Sequence, residues 1–136
     1  MSDILHYTLT DFITSYGVRI PSLRLYYQCF GLPLGEAPVV VVNHAFTGNS
    51  QVTGENGWWK EAIGEGKLID TLKYTVVAFN IPGNGFGARE EDMIPNYEHW
   101  AGIDIARIFN QVLTEHLGLN EVFALIGCSL GGRIAW

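Results

Sequence analysis

Apolar residues in this chain gather into a few unbroken runs rather than one repeating pattern. Val39-Val40-Val41-Val42 is such a run. It does not alternate with polar residues, so it predicts a strand buried on both faces, as in a parallel sheet. Residues 74–80 (Tyr-Thr-Val-Val-Ala-Phe-Asn) and 121–126 (Glu-Val-Phe-Ala-Leu-Ile) predict two more of the same kind. Earlier in the chain, residues 7–14 and 23–30 are rich in β-branched and aromatic side chains, which favour pleated strands. Ser15-Tyr16-Gly17 reads as a turn between them, so they predict an antiparallel pair. Gly31-Leu32-Pro33 and Gly35-Glu36-Ala37-Pro38 punctuate its end.

The period changes after residue 96. Residues 97–117 predict a helix. At about 100° per residue, Asp104, Arg107, Gln111, Thr114 and Glu115 share one face, and Ile103, Ala106, Phe109, Val112, Leu113 and Leu117 cover most of the other. Asn96 is the expected N-cap, Glu98 suits the positive helix end, and Gly118 is the expected stop. Residues 130–136 begin another helical pattern. Buried strand, helix, buried strand is a βαβ crossover, so the predicted class is α/β, a mostly parallel sheet with flanking helices. No internal boundary divides residues 1–136. A doubly wound domain usually takes ~200–250 residues, and nothing caps the pattern at Trp136. The stretch is therefore expected to be the N-terminal part of a longer chain. On that expectation, residues 39–42 and 121–126 expose apolar area.

Composition narrows the class. With 8 Lys+Arg against 14 Asp+Glu the net charge is −6, and the basic residues are scattered, which argues against a nucleic-acid surface. The 48% apolar, 16% charged content can build a core. Cys29 and Cys128 are too few for a disulfide framework. No apolar stretch approaches the ~18 residues of a membrane span, and Met1-Ser2-Asp3 opens no secretory signal. A soluble, cytoplasmic protein is expected. Glycine is abundant, at 16 of 136 residues against a usual ~7%. Mixed with Trp58, Trp59, Ile63, Leu68 and Ile69, these glycines predict ordered, closely packed loops.

Gly127-Cys128-Ser129-Leu130-Gly131 fits G-x-S-x-G. It follows a buried strand directly and opens a helix, which is the context a nucleophile elbow requires. On so sharp a turn Ser129 is expected at positive φ with its hydroxyl projecting from the sheet. Side chains two residues either side would collide, hence Gly127 and Gly131. Acyl transfer also needs donors for the oxyanion. One is the N–H of Leu130, and the other is expected from the loop after the first buried strand, where Phe46 is the candidate by position. His44 in that loop is read as a structural residue that orders the loop by hydrogen bonds. His6, His99 and His116 precede the elbow. His99 and His116 read as helix-surface residues. The acid and base of a triad follow the nucleophile in this fold class, so they are expected past Trp136. Cys128 is read as a small apolar residue and Glu90-Glu91-Asp92 as a solvated loop. Gly83-Asn84-Gly85-Phe86-Gly87 is not G-x-G-x-x-G and opens no helix, and no ligand cluster suggests a metal.

The chain resembles the homoserine O-acetyltransferase branch of the α/β-hydrolase fold. The resemblance rests on Asn43-His44-Ala45-Phe46-Thr47-Gly48, on Gly57-Trp58-Trp59 with Ile63-Gly64-Glu65-Gly66-Lys67 and Ile69-Asp70-Thr71, and on Gly127-Cys128-Ser129-Leu130-Gly131-Gly132. It departs at 81–89, where the family usually has a Gly-Gly-Cys-Tyr-Gly-Ser-Thr-Gly-Pro type of segment. It also has Phe46 where Leu is common and Cys128 where Gly is common. The resemblance implies an acyltransferase that moves an acetyl or other short acyl group from acyl-CoA to the hydroxyl of homoserine, or of serine, in methionine or cysteine biosynthesis. Ser129 would be the acylated nucleophile, with no bound cofactor and acetyl-CoA as donor. It also implies a homodimer in the full-length protein, formed through a helical lid inserted after these residues. Two other functions fit the same residues, an esterase or thioesterase and a non-catalytic relative. Residues 1–136 alone are expected to be inactive.

Overall fold

The computed structural model describes residues 2–94 and 97–136. In chain order the strands are β1 (Leu5–Ile13), β2 (Arg19–Gly31), β3 (Val39–Asn43), β4 (Ile63–Gly64), β5 (Ile69–Asp70), β6 (Thr75–Phe79) and β7 (Ala124–Gly127). Helix α1 (Gly102–Gln111) lies between β6 and β7, and α2 (Leu130–Ala135) follows β7. Five strands form one mixed sheet in the order β1-β2-β6-β3-β7, and β4-β5 form a separate parallel pair. β1, β2 and β6 run antiparallel to their neighbours in turn, whereas β6, β3 and β7 are parallel.

The continuous apolar runs explain the centre. Every residue of β3 and of β6 is buried. Val39 and Val41 face a core with Leu9, Leu25, Phe79, Ile108 and Ile134. Val40 and Val42 face the opposite core with Val52, Ile63, Val76 and Ala78. Each such side chain contributes about 1.5–3 kcal/mol by leaving water. The expected exposure of residues 39–42 is therefore wrong, because β6 and β7 flank the strand and both faces are covered. β7 begins at Ala124 rather than Glu121 and is only half-buried, not buried on both faces. With Phe123, just before it, 65% and Leu125 42% exposed, the apolar exposure expected over 121–126 is present.

β2 starts at Arg19, four residues before the apolar pattern. Pro21 has no N–H to give, and Asp11 opposite it lies at φ 54, so no bridge forms between those two. The ladder resumes on both sides, and Arg19 pairs with Asp11.

The expected single helix at 97–117 is divided. Tyr97–His99 form a 3-10 turn, α1 starts at Gly102, and Val112–His116 widen into a π-helical turn. The expected cap, Asn96, lies outside the described residues. Asp104, expected on the solvent face, is 0% exposed. It accepts from Ala101 N–H at 2.9 Å, so it caps the start of α1 from within. It also accepts from Ser15 N–H at 2.7 Å and Ser15 Oγ at 2.8 Å, which ties the β1–β2 turn to the helix. Ile103 is turned outward instead, 58% exposed.

Burial pushes the Asp104 carboxyl upward, but the hydrogen bonds from Ala101 and Ser15, with Arg107 nearby, hold it below the usual carboxylate range. Its stabilising contribution is then complete above the unfolded value of about 3.9 and is lost as pH falls through the lower folded value. Asp104→Ala is expected to cost about 2–3 kcal/mol at neutral pH, because three donors, Ala101 N–H, Ser15 N–H and Ser15 Oγ, lose their acceptor. Urea unfolding should show that difference shrinking below about pH 4. An equal difference at all pH values would remove the carboxylate from this role.

Glu90 and Glu91 are exposed as expected of a solvated segment, but Asp92 is not. The three residues form a 3-10 turn whose Asp92 accepts from Tyr26 Oη at 2.6 Å and Arg24 at 3.2 Å, pinning the turn to β2. Among the described residues, no helix is long and apolar enough to cross a membrane.

Candidate active site

β7 ends at Gly127, and two residues later the chain is already entering α2. The reversal forces Ser129 to φ 52, ψ −114. That region costs a non-glycine residue of order 1–3 kcal/mol and persists only where its surroundings over-determine it. The surroundings are the two glycines. A Cβ at Gly127 would run into the carbonyl group of Gly131, and one at Gly131 into the carbonyl oxygens of Asn43 and His44. Strand, turn, helix and β3 thus meet with no room for side chains. Cys128 N–H donates to Asn43 O at 3.1 Å, locking the elbow to the end of β3. Ser129 O accepts from Gly132 and Arg133, which starts the helix. Cys128 is a half-buried free thiol.

β3 ends beside β7, with Asn43 opposite Gly127. The loop after β3 therefore emerges next to the elbow. Phe46 and Leu130 line the same cavity of about 530 Å3, with Ile81, Asn84, Tyr97 and Trp100. Among the described residues, neither the Phe46 nor the Leu130 N–H donates to another group of the chain. Leu130 is free because the first amides of a helix have no partner within it. Phe46 is 77% exposed.

His44 is 1% exposed, and both its ring nitrogens are engaged. Nδ1 donates to Ala45 O, and Nε2 accepts from Ile81 N–H at 2.9 Å. Burial pushes the ring below the ordinary histidine range, partly opposed by the bond to Ala45. A neutral ring with its lone pair committed is a structural element, as the sequence suggested, and not a base. The other histidines gather at the far edge of the sheet. His6 lies on β1. His99 packs beside Tyr16, and His116 stacks on Tyr7 at 4.4 Å and bonds Tyr27 Oη at 3.0 Å. β1 and the elbow's strand stand four sheet positions apart, about 19 Å at the usual strand spacing.

Sequence reasoning missed the polar frame beneath the two loops. Gln28, fully buried in β2, accepts from Ser50 Oγ at 2.7 Å. Asn80, just past β6, accepts from Ser50 N–H and donates to Ser50 Oγ. The available signal was a polar residue within an apolar stretch, Gln28, and another directly after one, Asn80, which must find partners when buried. Among the described residues, no cluster of three or more His, Cys, Asp or Glu could hold a metal.

Comparisons with known proteins agree with this geometry. The model of the alpha/beta hydrolase fold matches residues 38–136. A homoserine O-acetyltransferase of Corynebacterium diphtheriae is 31% identical over 136 residues, covering 95% of this chain and 36% of that protein. The crystal structure of homoserine o-acetyltransferase from Staphylococcus aureus superposes with a TM-score of 0.81 at 31% identity, over 99% of this chain and 41% of that one. Esterase E22 superposes with a TM-score of 0.78 at 24% identity, over 96% and 42%. The chain spans a little over a third of the length of curated relatives such as these. From the elbow that closes the parallel strands to the extent of the match, the chain belongs to the alpha/beta hydrolase fold family.

Proposed function

We propose that the whole protein is an acyltransferase working through an acyl-serine at Ser129, with a short acyl-CoA as donor and homoserine or serine as acceptor. The observation that carries the reading is the strained turn at Ser129, followed directly by Leu130, which lines a cavity together with Phe46 and, like it, has an uncommitted N–H. Ser129 Oγ attacks the thioester carbonyl as its proton passes to a base. The tetrahedral oxyanion is held by the two N–H groups, and the CoA thiol leaves with a proton. The acceptor hydroxyl then attacks acyl-Ser129, its proton goes to the same base, and the O-acyl product frees the serine. The acid and base of this scheme come from outside residues 1–136. The proposal also takes the protein as cytoplasmic, active in methionine or cysteine biosynthesis, and dimeric at full length. The relatives named homoserine O-acetyltransferase support the acceptor.

The test is transfer from labelled acetyl-CoA to homoserine or serine by the whole protein, with intact-mass detection of the serine adduct. Release of free acetate without O-acetyl product would make the enzyme a hydrolase, and absence of any adduct would leave a binding protein. Residues 1–136 alone are expected to give neither product nor a burst of adduct, since the His44 ring is committed and the other histidines lie at the far edge of the sheet. Turnover near the whole protein's rate would require that the base lie within these residues.

A further inference from the structure

Asn84 lies in the stretch where the chain departs from the homoserine O-acetyltransferase pattern, and its side chain bridges the loops that follow β3 and β6. Nδ2 stands 3.1 Å from Asn80 Oδ1, 3.3 Å from Gly48 O and 3.4 Å from His44 Nε2. An amide nitrogen has two hydrogens, and a neutral imidazole acceptor has one lone pair. Ile81 N–H already uses that lone pair, so the two hydrogens go to Asn80 and Gly48. Asn84 Oδ1 accepts from Phe86 N–H at 3.0 Å, which orients the amide.

Gly48 closes the turn that contains Phe46, its N–H donating to Ala45 O at 2.8 Å. A Cβ on Gly48 would lie 2.9 Å from His44 Cβ, so the turn is wrapped tightly on that side chain. The Asn84 bond holds the closing peptide of the turn from the other loop. Releasing Gly48 O lets the turn rotate, and the Phe46 N–H rotates with it.

We propose that Asn84 is a positioning residue for acylation, donating to Gly48 O so that the Phe46 N–H is aimed at the forming oxyanion. The inference rests on the reading of Phe46 as an oxyanion donor. Donors of this kind act because they are already aimed when charge develops, and loss of one lowers kcat by about 10²–10³. A misaimed donor should lose part of that.

The experiment is Asn84→Asp in the whole protein. The carboxylate keeps an acceptor for Phe86 N–H and nearly the same size, but it donates to nothing. We expect kcat to fall about 10–100-fold, with KM for acetyl-CoA within about twofold. Phosphonylation of the serine by a fluorophosphonate should slow by a similar factor, and its end point counts active sites. Asn84→Ser, with one hydroxyl donor and no charge, should lose less and serves if the first variant folds poorly. An unchanged kcat in both variants overturns the inference. So does a rise in KM alone, or a drop in the number of active sites with kcat per site unchanged. Product formation by Ser129→Ala would instead overturn the acyl-serine reading on which it rests.

Discussion

Ser129→Ala in the whole protein is expected to lower acyl transfer by about 10⁴-fold or more and to abolish the covalent adduct, while the fold survives. The methyl group takes the place of Cβ and Oγ at φ 52 with no new contact, so the strain is nearly unchanged. What disappears is the hydroxyl that the proposed scheme acylates. Initial rates with labelled acetyl-CoA and intact-mass spectra measure the two losses together, and circular dichroism checks the fold. A variant that keeps its rate would show that the hydroxyl does not form the intermediate. A variant that loses rate but still acquires the acyl mass would place the intermediate on another residue.

The second large effect is on stability. Gly127→Ala and Gly131→Ala are each expected to cost about 3 kcal/mol or more. The atoms in the way belong to backbone, not to flexible side-chain ends. At Gly131 they belong to Asn43 and His44, so relief means prising α2 off β3 and opening the site as well. Gly102→Ala is the control. Nothing lies within 4 Å of its Cβ, and it opens α1 at an ordinary φ. It should stabilise by about 0.5–1 kcal/mol through the helix preference of alanine and a less free unfolded chain. Urea denaturation of the three variants decides. Equal small changes in all three would mean that the elbow has slack the structure does not contain.

Much of this was legible in the sequence for a local reason. At Gly127 the requirement for a small residue is imposed by Gly131 and Gly132, only a few positions away, so the motif declares it, whereas Gly131 makes room for the distant Asn43 and His44. The double burial of β3 and β6 is likewise written in their unbroken apolar runs. What escaped depends on distant partners. Asp104 looks like a solvent-facing helix residue until Ser15, 89 positions earlier, supplies two of its donors. Asp92 looks like part of an acidic loop until Tyr26 and Arg24 arrive from β2. The start of β2 was hidden by Pro21, whose missing N–H is tolerated because the ladder skips one bridge there. Asn84 had no signal at all without the loop it bonds.

The four backbone pairings between β3 and β7 carry one more implication. They act as a ruler, because Phe46 lies three residues past the end of one strand and Ser129 two past the end of the other. A slip of one position would move one against the other by about 3.3 Å and turn the slipped strand's faces inside out. Evolution therefore has unequal freedom on the two sides of that line. On the proposed function, change in the loops beyond the strands alters which acyl group or acceptor is used. Change that shifts β3 against β7 separates Phe46 from Ser129.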